Sequence, residues 1–172
     1  IIYNMKVGDI NKVEDAYQLS FVNENYLAES KIVINAAGLY SNVVSSMLGI
    51  SNYKIHYCKG DYYQTSLFRN QVNSLIYPLP NKHSLGIHLV LHLDGTISFG
   101  PNAYYADNID YSITNHHKNE FLEHVNKFFK IDKKDLNEDF IGIRPKLQGP
   151  KESAKDFIIV NEIDKGYKNF IN

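Results

Sequence analysis

Two strand-like runs in this sequence each set a cation-bearing face against an apolar one. Along residues 85–93 (LGIHLVLHL), alternation sorts Leu85, Ile87, Leu89, Leu91 and Leu93 to one side and Gly86, His88, Val90 and His92 to the other. Along residues 141–148, Ile141, Ile143, Pro145 and Leu147 share one side, and Gly142, Arg144, Lys146 and Gln148 the other. If both runs join one sheet, the polar sides make a platform carrying His88, Arg144 and Lys59, which suits an anionic ligand. The planar fork of Arg144 can hold a carboxylate through two hydrogen bonds. Pro145, directly after it, removes a ladder donor and restricts the arginine backbone, as at a strand end beside a site. His88 is the candidate base, because imidazole exchanges protons near neutral pH. Plainer roles stand against each assignment: an outward strand arginine is most often solvated, and a lone histidine is most often held by structural hydrogen bonds.

Other clusters carry less. His116 and His117 are adjacent at a helix start and point about 100° apart, so they read as surface and no metal is expected. Tyr53, Tyr57, Tyr62, Tyr63 and Tyr77 either line a pocket or fill half-buried sheet positions. Cys58 sits in no nucleophile motif, and no GxGxxG, GxxxxGK[ST] or GxSxG run is present.

The elements that must position these residues follow from periodicity. Residues 16–22 and 26–35 are β-biased runs around the turn Asn23-Glu24-Asn25, and the second reads as continuing into a buried strand, Ile32-Val33-Ile34. Ala36-Ala37-Gly38 then leads into a helix over 39–48, closed by Gly49. Strands are expected over 53–65, 74–79, 85–93, 96–100, 139–147 and 156–161. Asp94-Gly95 signals a hairpin with a two-residue type I′ turn. Residues 114–129 place Phe121, Leu122, Val125, Phe128 and Phe129 on one stripe of a helix, with Thr114 as N-cap. The sum is an α+β fold: a largely antiparallel sheet with helices on one face. No linker interrupts the pattern, so the periodicity alone reads as one continuous domain.

Composition narrows the partners. Eighteen Lys+Arg against 19 Asp+Glu leave a net charge of −1, which gives no field for nucleic acid or an anionic membrane surface. A single cysteine among 172 residues excludes an intramolecular disulfide and fits a reducing compartment. No apolar run is long enough to span a bilayer. The expected setting is cytoplasmic or peripheral to the inner membrane. The chain starts at Ile1, with Met5 the first methionine, and reads as a piece of something longer.

Six ordered segments, INAAGLYS (34–41), KGDYY (59–63), LIYPLP (75–80), LGIHLVLHLDGTISFGPNA (85–103), GIRPKLQGP (142–150) and DFII (156–159), together carry a resemblance. In this order they resemble the C-terminal half of FAD-dependent oxidoreductases of the D-amino-acid-oxidase superfamily, most closely the L-2-hydroxyglutarate dehydrogenase/oxidase branch. The resemblance implies a remnant of an FAD-binding domain over 1–50, a substrate-binding antiparallel sheet over 51–150, and a return toward the FAD-binding domain over 151–172. It implies that Asn35, Ala36, Ala37, Gly38 and Gly142 approach FAD, and that Arg144, the arginine of a Gly-hydrophobic-Arg-Pro motif, pairs with the substrate carboxylate. His88 is then the base for the hydroxyl proton, and Lys59 and Tyr63 complete the substrate-facing set. The implied reaction is oxidation of a 2-hydroxy acid to the 2-oxo acid, with a glycine or D-amino-acid oxidase activity, or a non-catalytic subunit, as alternatives. The family's GxGxxG half is expected in the same or another chain, and these 172 residues alone are expected to be inactive.

Overall fold

The computed structural model describes residues 1–79 and 86–172, so Leu85 lies outside the described residues. In chain order its elements are β1 (Val7–Val13), β2 (Ala16–Phe21), β3 (Leu27–Ser30), β4 (Val33–Ile34), α1 (Ser41–Met47), β5 (His56–Thr65), β6 (His88–Leu91), β7 (Ile97–Gly100), β8 (Tyr104–Ala106), α2 (Lys118–Val125), β9 (Asn137–Lys146) and β10 (Phe170–Ile171). Four short 3-10 turns accompany them. The fold is α+β with largely antiparallel sheets, as expected. The chain forms two compact units instead of one continuous domain: Ile1–His56 with Pro145–Asn172, and Tyr57–Arg144. Among the described residues no helix is long and apolar enough to cross a membrane.

In the first unit β1, β2 and β3 form an antiparallel meander. β1 escapes the alternation test because the apolar residues of its sequence, VGDINKV, stand three apart and only Ile10 is buried. The run 26–35 is not one strand. Ser30 Oγ donates to the Ile32 carbonyl at 2.6 Å and accepts from the Ile32 N–H at 3.3 Å, a local bond set that ends β3. β4 then pairs in parallel with β10, placing Val33 opposite Phe170. Ile10, Tyr17, Leu48, Ile50 and Phe170 form the core of this unit. Gly49 closes α1 with φ +72°. The strand expected over 156–161 is absent; only Asn161 makes an isolated bridge, to Ile171, and Phe157 is 92% exposed.

In the second unit the strand order is β6-β7-β5-β8, with β9 also paired to β5. Leu89 sits opposite Phe99, and Phe99 opposite Tyr63, so these three share the face on which α2 packs. There Phe121 meets the Tyr63 ring at a centroid distance of 4.6 Å, and both are fully buried. Several details depart from expectation. Residues 74–79 form no strand; the Ile76 carbonyl merely accepts from Leu89 N–H at 2.9 Å. The β6–β7 hairpin is present, but its loop is Leu93-Asp94-Gly95, bracketed by the His92 N–H bond to the Thr96 carbonyl. Gly95 alone in that loop has positive φ, so the turn is a three-residue loop and not type I′. Leu93 therefore sits at a loop tip, fully exposed. α2 ends at Val125, leaving Phe128 55% exposed, and Thr114 makes no side-chain cap bond.

Candidate functional site

Strand register and alternation set His88 and Arg144 on the face of the second unit that carries Tyr62 and Phe140. His88 lies opposite Gly100 in the β6–β7 register. A Cβ on Gly100 would stand 2.8 Å from Tyr62 Cδ1 and 2.7 Å from the Asp61 carbonyl oxygen, so glycine is what lets the Tyr62 ring lie against the strand. The Tyr62 ring stacks on Phe140 at 4.2 Å and 15°. Gly142 leaves space beside it, since a Cβ there would stand 3.9 Å from Tyr62 Cε2. Burial raises the Tyr62 pKa, while the positive charge of Arg144 pulls it down, which places the guanidinium within electrostatic reach of the phenol. Arg144 itself is exposed and forms no ion pair among the described residues.

Tyr77 stacks on the His88 ring at 4.4 Å and 17°. His88 Nδ1 stands 3.2 Å from the Gly86 carbonyl oxygen. A carbonyl only accepts, so Nδ1 carries the proton in that contact and Nε2 keeps the lone pair of a base. His92, on the same side of β6, is held by structure: its Nε2 is 2.6 Å from Ser98 Oγ, which donates to Asp139 Oδ2 at 2.5 Å.

Lys59 and Tyr63 are not on this face. Lys59 is 6% exposed, pairs with Asp110 at 3.3 Å and lies 5.9 Å from the centre of the Tyr104 ring. Tyr63 is enclosed beside α2, donates to the Thr114 carbonyl at 3.3 Å, and has its pKa pushed up to about 12, chiefly by burial. Their neighbour Asp61 is fully buried, accepting from Tyr104 OH at 2.8 Å and meeting His117 Nδ1 at 2.6 Å. His117 is therefore an internal partner, whereas His116 is exposed. The aromatic residue that does face Arg144 is Tyr62, one position from Tyr63, and strict alternation along KGDYY was the signal that separates the two.

In the first unit, Ala36, Ala37 and Gly38 form an exposed turn after β4. Gly38 has φ +57°, and no atom of the described residues beyond its chain neighbours lies within 4 Å of a Cβ position. Asn35 holds this turn from within. Its Nδ2, with two hydrogens to give, has three acceptors within reach, the Ser41 carbonyl (2.8 Å), Ser45 Oγ (3.1 Å) and Asn172 Oδ1 (2.7 Å), and its Oδ1 accepts from Ala37 N–H at 3.3 Å. Asn42 Oδ1, at the start of α1, is buried without a hydrogen-bond partner among the described residues.

Comparison with known proteins adds an independent line. The family model described as "DAO: FAD dependent oxidoreductase" matches residues 1–172. The mitochondrial L-2-hydroxyglutarate dehydrogenase of Arabidopsis thaliana is 30% identical over 158 residues, covering 82% of this chain and 32% of the relative. The L-2-hydroxyglutarate dehydrogenase of Escherichia coli K12 is 33% identical over 110 residues, 62% of this chain and 26% of the relative. The chain thus spans a third or less of the length of these relatives. Among solved structures, the dithionite-reduced L-alpha-glycerophosphate oxidase of Mycoplasma pneumoniae with FAD bound superposes with TM-score 0.74 at 20% identity, over 98% of this chain and 44% of that one. That likeness establishes the shared fold.

Proposed function

Since the chain belongs to the FAD-dependent oxidoreductase family, we propose that its second unit supplies the substrate-facing sheet of an enzyme that oxidises a 2-hydroxy acid, of the L-2-hydroxyglutarate type, to the 2-oxo acid. The observation that carries this reading is Arg144: an exposed arginine without a carboxylate partner among the described residues, on the face that carries His88, whose Nε2 has no hydrogen-bond partner among the described residues. L-2-hydroxyglutarate, the compound in the names of both relatives, carries a hydroxyl beside a carboxylate. Arg144 pairs with that carboxylate and fixes its orientation. His88 Nε2 takes the hydroxyl proton as the carbinol carbon is oxidised. The Tyr62–Phe140 stack walls the site and excludes water on one side.

FAD is the family's cofactor, and it supplies the two-electron acceptor when bound. The residues present fit part of it. The open turn Ala36-Ala37-Gly38 lets a ligand approach backbone, and Asn42 Oδ1 is an acceptor without a donor among the described residues. In this reading Asn35 shapes that turn and Gly142 keeps room beside Tyr62. The 172 residues contain no GxGxxG run, so the FAD pyrophosphate is assigned to a GxGxxG-containing half in the same or another chain.

The test is anaerobic mixing of the full-length, FAD-loaded protein with L-2-hydroxyglutarate, its D-enantiomer, glycerol 3-phosphate and glycine. Loss of the oxidised-flavin absorbance with L-2-hydroxyglutarate or a related 2-hydroxy acid is expected. Bleaching only by glycerol 3-phosphate or glycine overturns the substrate class.

A further inference from the structure

We infer that Glu162 and Asn172 are positioning residues for the Ala36–Gly38 turn, acting on it through Asn35. The inference rests on the reading that this turn faces the cofactor. Glu162 is a carboxylate buried to 2% exposure on a 3-10 turn more than 120 residues from Asn35 in sequence, and no catalytic or binding role has been given to it above. Three donors converge on it. Tyr53 OH and Asn172 Nδ2 each reach Oε1 at 2.6 Å, and Lys165 Nζ pairs with Oε2. Burial raises its pKa, but the bonds from Lys165, Tyr53 and Asn172 outweigh burial and leave it below the usual carboxylate value.

An ionised carboxylate accepts and cannot donate, so Asn172 must turn its NH2 group toward Glu162. Its Oδ1 is then left facing the other way, where it accepts from Asn35 Nδ2 at 2.7 Å and Ser45 Oγ at 2.8 Å. With Nδ2 of Asn35 committed, its Oδ1 accepts from Ala37 N–H at 3.3 Å. The polarity of the chain Glu162, Asn172, Asn35, Ala37 is thereby set at its charged end. A flipped Asn172 would oppose two NH2 groups and push Asn35 off the turn. Ser45, 1% exposed, stands beside the relay: its one hydroxyl proton has the Ser41 carbonyl at 2.9 Å and Asn172 Oδ1 at 2.8 Å as alternative acceptors. A group that served only to fill space would need no such alternation of donors and acceptors.

The experiment measures FAD affinity of the full-length apoprotein by flavin fluorescence, with circular dichroism as the fold control. Variants are Glu162→Ala, Glu162→Gln, Asn172→Ala, the double Glu162→Ala/Asn172→Ala, and Ala37→Leu. Loss of a buried hydrogen-bond partner predicts FAD binding weakened about tenfold in Glu162→Ala and in Asn172→Ala, with the double variant no weaker than either single one. Glu162→Gln, whose single oxygen is drawn to Lys165 and whose NH2 group then opposes that of Asn172, is expected to weaken FAD binding as the alanine variant does. Ala37→Leu, which crowds the turn directly, weakens FAD binding in the same scheme. Near-parental affinity in folded Glu162→Ala, or additive losses in the double variant, overturns the relay while Ala37→Leu still weakens binding. If Glu162→Ala does not fold, Glu162→Gln takes its place in the same comparison. An unchanged affinity in Ala37→Leu overturns the cofactor-facing reading of the turn, and the relay's purpose with it.

Discussion

Tyr62 lies flat on Phe140, ring centroids 4.2 Å apart and planes 15° apart, and joins β5 to β9 on the face that carries Arg144. Phe140 is 45% exposed, so its place is held by the stack more than by burial in a core. An aromatic pair of this kind contributes about 0.5–1.5 kcal/mol beyond its buried area.

Phe140→Ala removes one ring of the pair and is expected to lower stability by about 1 kcal/mol, while Phe140→Tyr retains most of it. Urea midpoints of the two variants check this. Equal midpoints for Ala and Tyr would show that the stack contributes nothing.

Arg144→Lys keeps the charge without the two-pronged geometry, and Arg144→Met loses both, so kcat/KM is expected to fall in the order parent, Lys, Met. Leaving a substrate carboxylate without its partner costs about 2–5 kcal/mol, roughly 30-fold to several-thousand-fold for Met. Steady-state kinetics with L-2-hydroxyglutarate on the full-length enzyme measures it, and flavin content should not change. An Arg144→Met enzyme within a few-fold of the parent removes the carboxylate clamp.

Gly100 has φ +144°, and a Cβ there would collide with the Asp61 carbonyl and the Tyr62 ring. Gly100→Ala is therefore expected to cost about 1–3 kcal/mol and to displace Tyr62 from Phe140. Thermal unfolding reads the first effect. Tyrosine fluorescence reads the second, and an unchanged spectrum in a destabilised variant would separate them.

Tyr63 titrates at about 12 in the fold, raised from 10.0 mainly by burial. A raised value favours the neutral phenol, so its contribution to stability is complete below pH 10 and is lost as pH climbs from 10 through about 12. Tyr63→Phe removes this titration, and its thermal midpoint is expected to fall less steeply over that range. Part of the slope remains, because burial and Asp61 also raise the Tyr104 pKa. Parallel curves for parent and variant would assign the alkaline loss elsewhere.

Local spacing was enough for the β6–β7 hairpin, the buried stripe Phe121 and Val125 of α2, and the opposed faces of residues 86–92, because each depends on neighbours within a few residues. The separation of His88 from Leu89 was legible in the same way. Alternation also says that Tyr62 and Tyr63 face opposite sides, but not which side a helix will cover. That choice came from α2, whose Phe121 packs on Tyr63 and leaves Tyr62 for the Arg144 face. Lys59 misled for a related reason: a lysine reads as exposed until the fold covers its stem, and here its amino group still reaches an exposed partner, Asp110. The parallel pairing of β4 with β10, and the passage from Glu162 through Asn172 to Asn35, join residues more than 120 positions apart. Sequence by itself determined the local periods and the family's motifs. Tertiary structure alone decided which faces meet and which polar groups are buried together, since those depend on contacts between segments whose separation along the chain carries no record of their distance in space.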